Sequence, residues 1–128
     1  IQKTYMESSI NKKIGNNGEE RASIFLENAG YKVLERNYRS RYGEIDIIVC
    51  KNETVVFVEV KTWPRSDFFS LAQAVDYRKQ KRIIKTAKCF LAEHRQYKEC
   101  YVRFDLIALD ISGHDKIFHI ENAFSEIL

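Results

Sequence analysis

Two acidic residues of this sequence lie in segments that otherwise have the pattern of apolar strands. Asp46 is flanked by isoleucine and valine, and Glu59 follows the apolar run Val55–Val58. Aspartate is depleted in strands, and a buried carboxylate is costly unless it is paired, hydrogen-bonded or metal-bound. Side chains alternate along a strand, so Glu59 and Lys61 share one face. Two carboxylates suit Mg²⁺, and a nearby ammonium can orient or deprotonate water and neutralise charge on a phosphodiester.

A third acid, Glu19, lies on the apolar stripe of a predicted helix, three residues before Ala22. Facing the sheet, Glu19 would need a partner. Half-exposed in the first turn, it would only complement the helix dipole. Asp46 taken alone also fits an acid at a strand end or an ion pair at a sheet edge. The sequence leaves these alternatives open.

The order of predicted elements is αβββαββ. Apolar periodicity predicts helices over Lys12–Ala29 and Leu71–His94, and strands over Tyr31–Tyr38, Glu44–Cys50, Thr54–Val60, Tyr101–Leu109 and Lys116–Ile120. The short connection Lys51–Glu53 predicts a hairpin, so part of the sheet is antiparallel. Two helices long enough to cover opposite faces predict an α/β protein, a three-layer α/β/α sandwich with a mixed five-stranded sheet.

Composition indicates one ordinary globular domain. The chain has 128 residues, of which 45% are hydrophobic and 30% are charged. Its three cysteines include no C-x-x-C pair, which favours a reducing cytoplasm over a disulfide framework or a zinc ribbon. No apolar run approaches the roughly 20 residues of a membrane span. We expect residues 1–11 to be an N-terminal extension, disordered or foreign to the natural chain, and residues 12–128 to form the domain.

The second predicted helix carries a cluster of basic residues. The whole chain has 21 Lys and Arg against 18 Asp and Glu, a net charge of +3 that is too small to indicate a nucleic-acid partner. The basic residues of the helix are Arg78, Lys79, Lys81, Arg82, Lys85 and Lys88. Most lie opposite the apolar face, where a solvated surface is the ordinary interpretation and a phosphate-binding surface the alternative. Lys79 lies at the flank of the apolar face and could point toward the acids of the sheet.

Spaced motifs across the chain resemble a known family. The motifs are Gly15-x-x-Gly18-Glu19-x-x-Ala22, Gly43-Glu44-Ile45-Asp46, Val56-Phe57-Val58-Glu59-Val60-Lys61, Arg103-Phe104-Asp105 and Asn122-Ala123-Phe124. Together they resemble the YraN family of bacterial proteins over about residues 12–124. That family is placed in the PD-(D/E)xK nuclease superfamily, which has the restriction-endonuclease-like fold, close to Holliday-junction resolvases.

The resemblance implies a metal-dependent DNA endonuclease. Asp46, Glu59 and Lys61 match the superfamily triad, and Glu19 matches the helix acid of resolvase-like members. The implied cofactor is Mg²⁺ or Mn²⁺, bound by the three acids and the backbone carbonyl of Val60. The expected partner is branched or single-stranded DNA, cut by a homodimer that is not membrane-bound. The alternative is a protein of the same fold that binds DNA or a repair partner without cutting.

Further residues are expected to contact DNA. The expected contacts are Lys79, Lys81, Arg82 and Lys85 of the basic helix and Arg65, which follows Trp63, the residue standing where the family commonly has a basic one. Gln73 and Tyr77 resemble the Gln-x-x-x-Tyr element of RecB-type nucleases, although two such residues four apart also fit an ordinary surface pair.

Overall fold

The computed structural model describes residues 18–63, 75–110 and 117–126. In chain order the elements in these ranges are α1 (18–28), β1 (Lys32–Ser40), β2 (Gly43–Lys51), β3 (Thr54–Trp63), α2 (Tyr77–Glu93), a 3₁₀ helix (Arg95–Tyr97), β4 (Tyr101–Asp110) and β5 (Ile117–Phe124). The order agrees with the predicted one. None of the helices in these ranges is long and apolar enough to cross a membrane.

The strands form one mixed sheet in the order β1-β2-β3-β4-β5. The pairs β1–β2 and β2–β3 are antiparallel, and the second pair is joined through Asn52, whose φ of 55° makes the tight turn. The crossover through α2 returns the chain to the starting end of β3, so β3 and β4 are parallel. Strand β5 then pairs antiparallel with β4. The predicted mixed five-stranded sheet is confirmed.

The two helices lie on opposite faces of this sheet. One core joins Ala22 and Leu26 of α1 to Tyr31, Ile47, Val49, Val56, Val58, Ile107 and Leu109. The other joins Ile83, Ala87 and Phe90 of α2 to Tyr38, Ile45, Ile48, Val55, Val75, Phe57, Phe104, Leu106 and Ala108. Neighbouring residues of β3 alternate between the two cores, as the strand period of two requires. Burial of both faces explains why the central strands read as nearly continuous apolar runs.

Helix α1 ends at the predicted stop, Gly30. Its φ is 94°, a left-handed conformation that glycine adopts at little cost. The N–H of Gly30 bonds to the carbonyl of Glu27, and the N–H of Tyr31 bonds to the carbonyl of Leu26, both at 3.0 Å. These bonds satisfy carbonyls at the helix end. The predicted start of this helix at Lys12 lies outside the described residues.

Helix α2 begins later than predicted, which corrects the expected start at Leu71. Val75 and Asp76 precede the helix, and Asp76 is its N-cap in an extended conformation with ψ of 168°. Its Oδ1 accepts a hydrogen bond from the N–H of Lys79 at 2.8 Å. The cap therefore places Lys79 in the first turn of α2.

Strand β5 extends past the predicted end at Ile120. It continues to Phe124, which pairs with Phe104 of β4. The register shifts between Phe104 and Leu106, close to Asn122, whose φ is 53°. The exposed pair Glu121 and Asn122 interrupts the apolar pattern of β5 before the partly buried Ala123 and Phe124, so the sequence pattern ends too early.

Candidate active site

Strands β2 and β3 separate at one end of their shared ladder. The paired residues run from Lys51 and Thr54 to Ile47 and Val58. Beyond this last pair, the backbone N–H of Val60 donates a hydrogen bond to Oδ2 of Asp46 at 2.8 Å. The Asp46 carboxylate thus accepts the hydrogen bond that a backbone carbonyl of the neighbouring strand would accept if the ladder continued. The sheet opens here, beside the Asp46 side chain.

Glu59 lies deeper in the protein than Asp46, with only 7% of its side chain exposed. It occupies the face of β3 that packs under α2, as the alternation with Phe57 predicts. The ammonium of Lys79, in the first turn of α2, lies 2.5 Å from Oε1 of Glu59. A carboxylate at this depth needs such a partner, because an unpaired buried charge is strongly destabilising. Helix α2 therefore contributes a cation to the acids of the sheet.

The electrostatic setting of Asp46 favours a positive ligand. Burial and the negative charge of Glu59 raise the pKa of Asp46 to about 7, with a further contribution from Glu19. The hydrogen bond from Val60 and the charge of Lys79 act in the opposite direction but do not cancel the rise. A second cation would allow both carboxylates to ionise.

Glu19 of α1, the helix on the other side of the sheet, acts electrostatically on Asp46. Gly18 allows close packing of α1 on the sheet: a Cβ there would lie 3.2 Å from Cδ1 of Leu109 and 3.7 Å from Oγ1 of Thr62. Oε2 of Glu19 is buried and has no hydrogen-bond partner within the described ranges, and the nearest guanidinium nitrogen of Arg36 is 3.9 Å away. Arg36 instead pairs with Glu20 at 2.7 Å. The partner that we expected a buried Glu19 to need is therefore only a distant guanidinium, that of Arg36.

Lys61 follows Glu59 on the same face of β3 and is half-buried. Within the described residues, Lys61 forms no ion pair with Asp46 or with Glu59, whose partner is Lys79. The lysine that contacts Glu59 is Lys79, which confirms the expectation that this residue at the flank of the apolar face points toward the acids of the sheet. Its expected contact with DNA stays a prediction. The proposed role of Lys61 in catalysis stays a prediction.

A cavity of about 190 Å³ opens beside the two acids. It is lined by Gly43, Glu44, Asp46, Glu59, Lys79, Arg82 and Ile83. Water occupies roughly 30 Å³ per molecule in the liquid, so the cavity has room for a cation with several waters. Arg82 and Lys79 give the cavity two positive groups opposite its acids.

The donor set fits a hard divalent cation held by few protein ligands. In the described part of the chain, no three His, Cys, Asp or Glu side chains gather into a metal-binding cluster. Mg²⁺ does not need such a cluster, since one or two carboxylates with water and substrate phosphate suffice. Asp46 and Glu59 would supply the carboxylates. Glu19 does not complete a three-residue cluster with them, although its charge contributes to the raised pKa of Asp46.

The basic residues of α2 divide into two groups. Lys79 and Arg82 line the acid cavity, whereas Lys81, Lys85 and Lys88 line a neighbouring groove of about 210 Å³ with Tyr77, Gln80, Ile84, Ser125 and Glu126. Lys81 lies 4.7 Å from the ring centre of Tyr77, which is 58% exposed, and Lys85 lies 5.4 Å from that of Tyr42. This side of α2 thus presents cations and aromatic rings together. Arg65 and Gln73 lie outside the described residues.

A second buried acid, Asp105 of β4, has a different environment. Its carboxylate accepts hydrogen bonds from Nε and Nη2 of Arg103, from Nε2 of His119 and from the N–H of Asn122, at 2.7–3.0 Å. Burial alone would raise the pKa of Asp105, but these bonds from His119, Arg103 and Asn122 hold it below its ordinary value. Two of these bonds connect β4 to β5, and the other two hold the Arg103 side chain of the same strand. We therefore assign Asp105 a structural role. Its sequence signals were an acid inside an apolar strand and its place in the Arg103-Phe104-Asp105 motif.

The fold and the site define a class of α/β proteins: a mixed five-stranded sheet between two helices, with an acidic cavity where two strands separate. A family model described as "Uncharacterised protein family UPF0102" matches residues 18–109. The chain belongs to this family, which confirms the resemblance to the YraN family at the family level.

Curated relatives cover nearly the whole chain. A UPF0102 protein of Alkaliphilus oremlandii is 45% identical over 117 residues, which are 90% of this chain and 100% of the relative. A UPF0102 protein of Geobacter metallireducens is 46% identical over 115 residues, or 89% and 93% of the two chains. One of Persephonella marina is 44% identical over 110 residues, or 86% and 91%. The family matches therefore span both acids of the sheet.

Proposed function

We propose that the protein is a divalent-metal-dependent DNA endonuclease that hydrolyses phosphodiester bonds. The meeting of Asp46, Glu59 and Lys79 in one cavity carries the proposal. Burial and the charge of Glu59 raise the pKa of Asp46 within this cavity, so a bound cation would relieve the repulsion between the two acids. The proposed restriction-endonuclease-like fold is supported by the order of the elements and by the triad spacing on β2 and β3.

Asp46 and Glu59 would hold Mg²⁺ or Mn²⁺, with Glu19 and the carbonyl of Val60 as additional ligands. When bound, the metal supplies charge neutralisation at the phosphate and a lower pKa of the attacking water. The hydrogen bond from Val60 to Asp46 keeps one carboxylate oxygen fixed and leaves the other for the cation. The site is thus partly oriented before any ligand binds.

Lys61 would touch the reacting groups, orienting or deprotonating the attacking water. It continues the face of β3 that carries Glu59, and it is half-buried. Lys79 pairs with Oε1 of Glu59, so Lys61 is not required to balance this carboxylate in the proposed mechanism. Such acid–base and electrostatic contributions are typically worth a factor of about 10²–10⁴ in rate.

DNA is the proposed partner because α2 carries its cations beside the acid cavity. Lys81 and Lys85 are exposed next to Tyr77 and Tyr42, and Arg82 joins their surface to the cavity. Lysines bind the phosphate backbone, and exposed aromatic rings stack on unpaired bases. This combination favours single-stranded or branched DNA over regular duplex.

The alternative is a protein that binds DNA or a repair partner without cutting. Exposed cations and aromatic rings would serve such a protein equally well. Buried acids would not, because they repel the phosphate backbone and lower stability unless a cation is bound. The placement of Asp46 and Glu59 in one cavity, where burial and Glu59 raise the pKa of Asp46, is therefore the observation that favours the enzyme.

The decisive experiment combines metal binding with cleavage. Mn²⁺ affinity is measured by calorimetry for the wild type, Asp46→Asn and Glu59→Gln, and cleavage is measured on single-stranded, duplex and four-way-junction DNA. We expect the wild type to bind Mn²⁺ and to cut, and each variant to lose both properties. Glu44→Gln is the matched control, because Glu44 lines the same cavity but is exposed and paired with Arg39 at 3.5 Å.

Two results would contradict the proposal. Unchanged Mn²⁺ affinity in both variants would remove the metal site. DNA binding without cleavage by a metal-loaded wild type would favour the non-catalytic alternative.

A cytoplasmic location is also proposed and is supported by the three free cysteines. The homodimer stays a prediction that sedimentation equilibrium can check.

A further inference from the structure

In the folded chain a lysine side chain, that of Lys79, occupies a position beside the acids where a metal ion would otherwise balance their charge. The Lys79 ammonium lies 2.5 Å from Oε1 of Glu59, and the two side chains are 33% and 7% exposed. The charge of Lys79 also opposes the rise in the pKa of Asp46. Lys79 therefore already does part of what a bound metal would do: it balances the two carboxylates.

A divalent cation bound to Glu59 would lie within a few ångströms of this ammonium, which is in contact with Oε1. Mg²⁺ requires carboxylate oxygens at about 2.0–2.1 Å in near-octahedral geometry. Two positive charges within a few ångströms of each other repel strongly in a partly buried cavity. Binding of the metal therefore favours displacement of the ammonium.

We infer that Lys79 competes with the metal for Glu59 and, once displaced, binds the phosphate of the DNA beside Arg82. This inference rests on the proposed function of the same site. It assigns Lys79 two alternating partners: a carboxylate in the metal-free protein and a substrate phosphate in the loaded one.

The local structure permits this exchange without movement of the backbone. The Asp76 cap holds the N–H of Lys79 at 2.8 Å, so the proposed exchange would be a change of the Lys79 side-chain rotamer at a fixed helix start. Arg82 lies three residues further on, on a neighbouring part of the helix surface, and lines the same cavity. Displacement would thus bring two cations together at the cavity mouth, where a phosphate would balance them.

The first test measures Mn²⁺ affinity by calorimetry in three variants of the full chain. Lys79→Met removes the competitor and should bind Mn²⁺ at least 10-fold more tightly than the wild type. Lys79→Arg keeps a cation that can bind a carboxylate in bidentate fashion, so it should bind Mn²⁺ more weakly. Lys88→Met is the control, because Lys88 is nine residues away along α2 and pairs with Glu126 instead.

A second readout does not depend on calorimetry or activity. Lys79→Met leaves the acid pair without its cation, so its metal-free melting temperature should fall below that of the wild type. Saturating Mn²⁺ should raise the melting temperature of this variant by more than that of the wild type. Lys79→Arg retains the charge and keeps the test available if the methionine variant folds poorly.

The phosphate contact is tested in metal-free protein. In Glu59→Gln no carboxylate holds Lys79, so adding Lys79→Met should reduce the salt dependence of single-stranded DNA binding by about one phosphate contact. In the background with Glu59 intact, the same substitution should leave the salt dependence unchanged. An equal effect in both backgrounds, or none in either, would overturn the phosphate assignment.

The remaining outcomes separate this inference from the proposed function. If the wild type binds Mn²⁺ and Lys79→Met binds it equally well or more weakly, Lys79 orients Glu59 and does not compete for it. That result would overturn the competition and leave the metal site standing. No Mn²⁺ binding by the wild type or by Lys79→Met would overturn both, because removal of the competitor would have exposed any site.

Discussion

The N–H of Val60 donates to Oδ2 of Asp46 at 2.8 Å across the point where β2 and β3 separate. Among the described residues this is the one hydrogen bond that Asp46 accepts, and its pKa is raised to about 7, chiefly by burial and by Glu59. Asp105, also an acid in an apolar strand, accepts four hydrogen bonds, and its pKa is lowered. The number of donors around each carboxylate therefore distinguishes the candidate ligand site from the structural acid.

The raised pKa of Asp46 predicts a pH dependence of stability in the metal-free protein. Between the ordinary value of 3.8 and about 7 the folded state holds a proton that the unfolded state releases, so stability decreases as pH rises through this range. Asp46→Asn keeps an acceptor for the Val60 N–H and removes the charge. We expect it to be more stable than the wild type at pH 8, on the order of 1–3 kcal/mol, with a difference that shrinks toward pH 4.

Urea unfolding at several pH values, in the presence of a chelator, checks this expectation. Glu44→Gln should leave the slope in place, since the exposed Glu44 side chain faces solvent at the edge of the cavity. Parallel stability curves of Asp46→Asn and the wild type between pH 4 and pH 8 would show that Asp46 is not the titrating group.

Lys61 is predicted to be a catalytic residue of the proposed endonuclease. Lys61→Ala should retain Mn²⁺ and DNA affinity but cleave about 10²-fold more slowly, the typical size of acid–base and electrostatic contributions. Lys61→Met keeps the aliphatic stem and its packing, so it should be equally slow. Single-turnover cleavage assays provide the rates. A Lys61→Met protein that cuts at the wild-type rate would remove Lys61 from the mechanism.

The exposed cations of α2 are predicted to bind phosphates. Lys81→Ala with Lys85→Ala should weaken DNA binding and reduce the slope of log affinity against log salt by about 1–2, because each phosphate contact contributes roughly 0.7–0.9. Mn²⁺ affinity should not change, since neither lysine lines the acid cavity. Lys32→Ala, at the exposed start of β1, is the charge control. A slope equal to that of the wild type would return the lysines to an ordinary solvated surface.

Asp105 is predicted to be important for stability. Asp105→Asn leaves the Arg103 guanidinium without its counter-charge and weakens the hydrogen bond with His119, so it should lower the free energy of unfolding at pH 7 by about 3 kcal/mol. The lowered pKa means that this contribution is present above the ordinary value of 3.8 and is lost as pH falls below it. The variant should therefore resemble the wild type most closely near pH 2.

Chemical unfolding at pH 7 and pH 2 measures both effects. Glu121→Gln is the control: Glu121 is exposed and lies 3.9 Å from the Arg103 guanidinium, so its loss should cost about 0.5 kcal/mol or less. A destabilisation by Asp105→Asn as small as that of this control would mean that the buried network does not hold β4 to β5.

Local periodicity was sufficient to predict the order of the elements, the mixed sheet and the shared face of Glu59 and Lys61. These features depend on neighbours within a few residues, where alternation along a strand and the 3.6-residue helical repeat limit the choices. The same reasoning singled out Asp46 and Glu19 as acids in apolar settings. It failed where polar caps and edges carry no such repeat, at the start of α2 and at the end of β5.

Only the tertiary structure decided which lysine meets the acids. Lys61 is two residues from Glu59 in the sequence, yet Lys79, twenty residues away, forms the ion pair. The reason is the crossover through α2, whose rotation is determined by the Asp76 cap and by the burial of Ile83, Ala87 and Phe90. Likewise, Asp105 acquires its partners from β5 through the β4–β5 register. Partners of buried charges are set by packing between distant segments, which local sequence patterns do not encode.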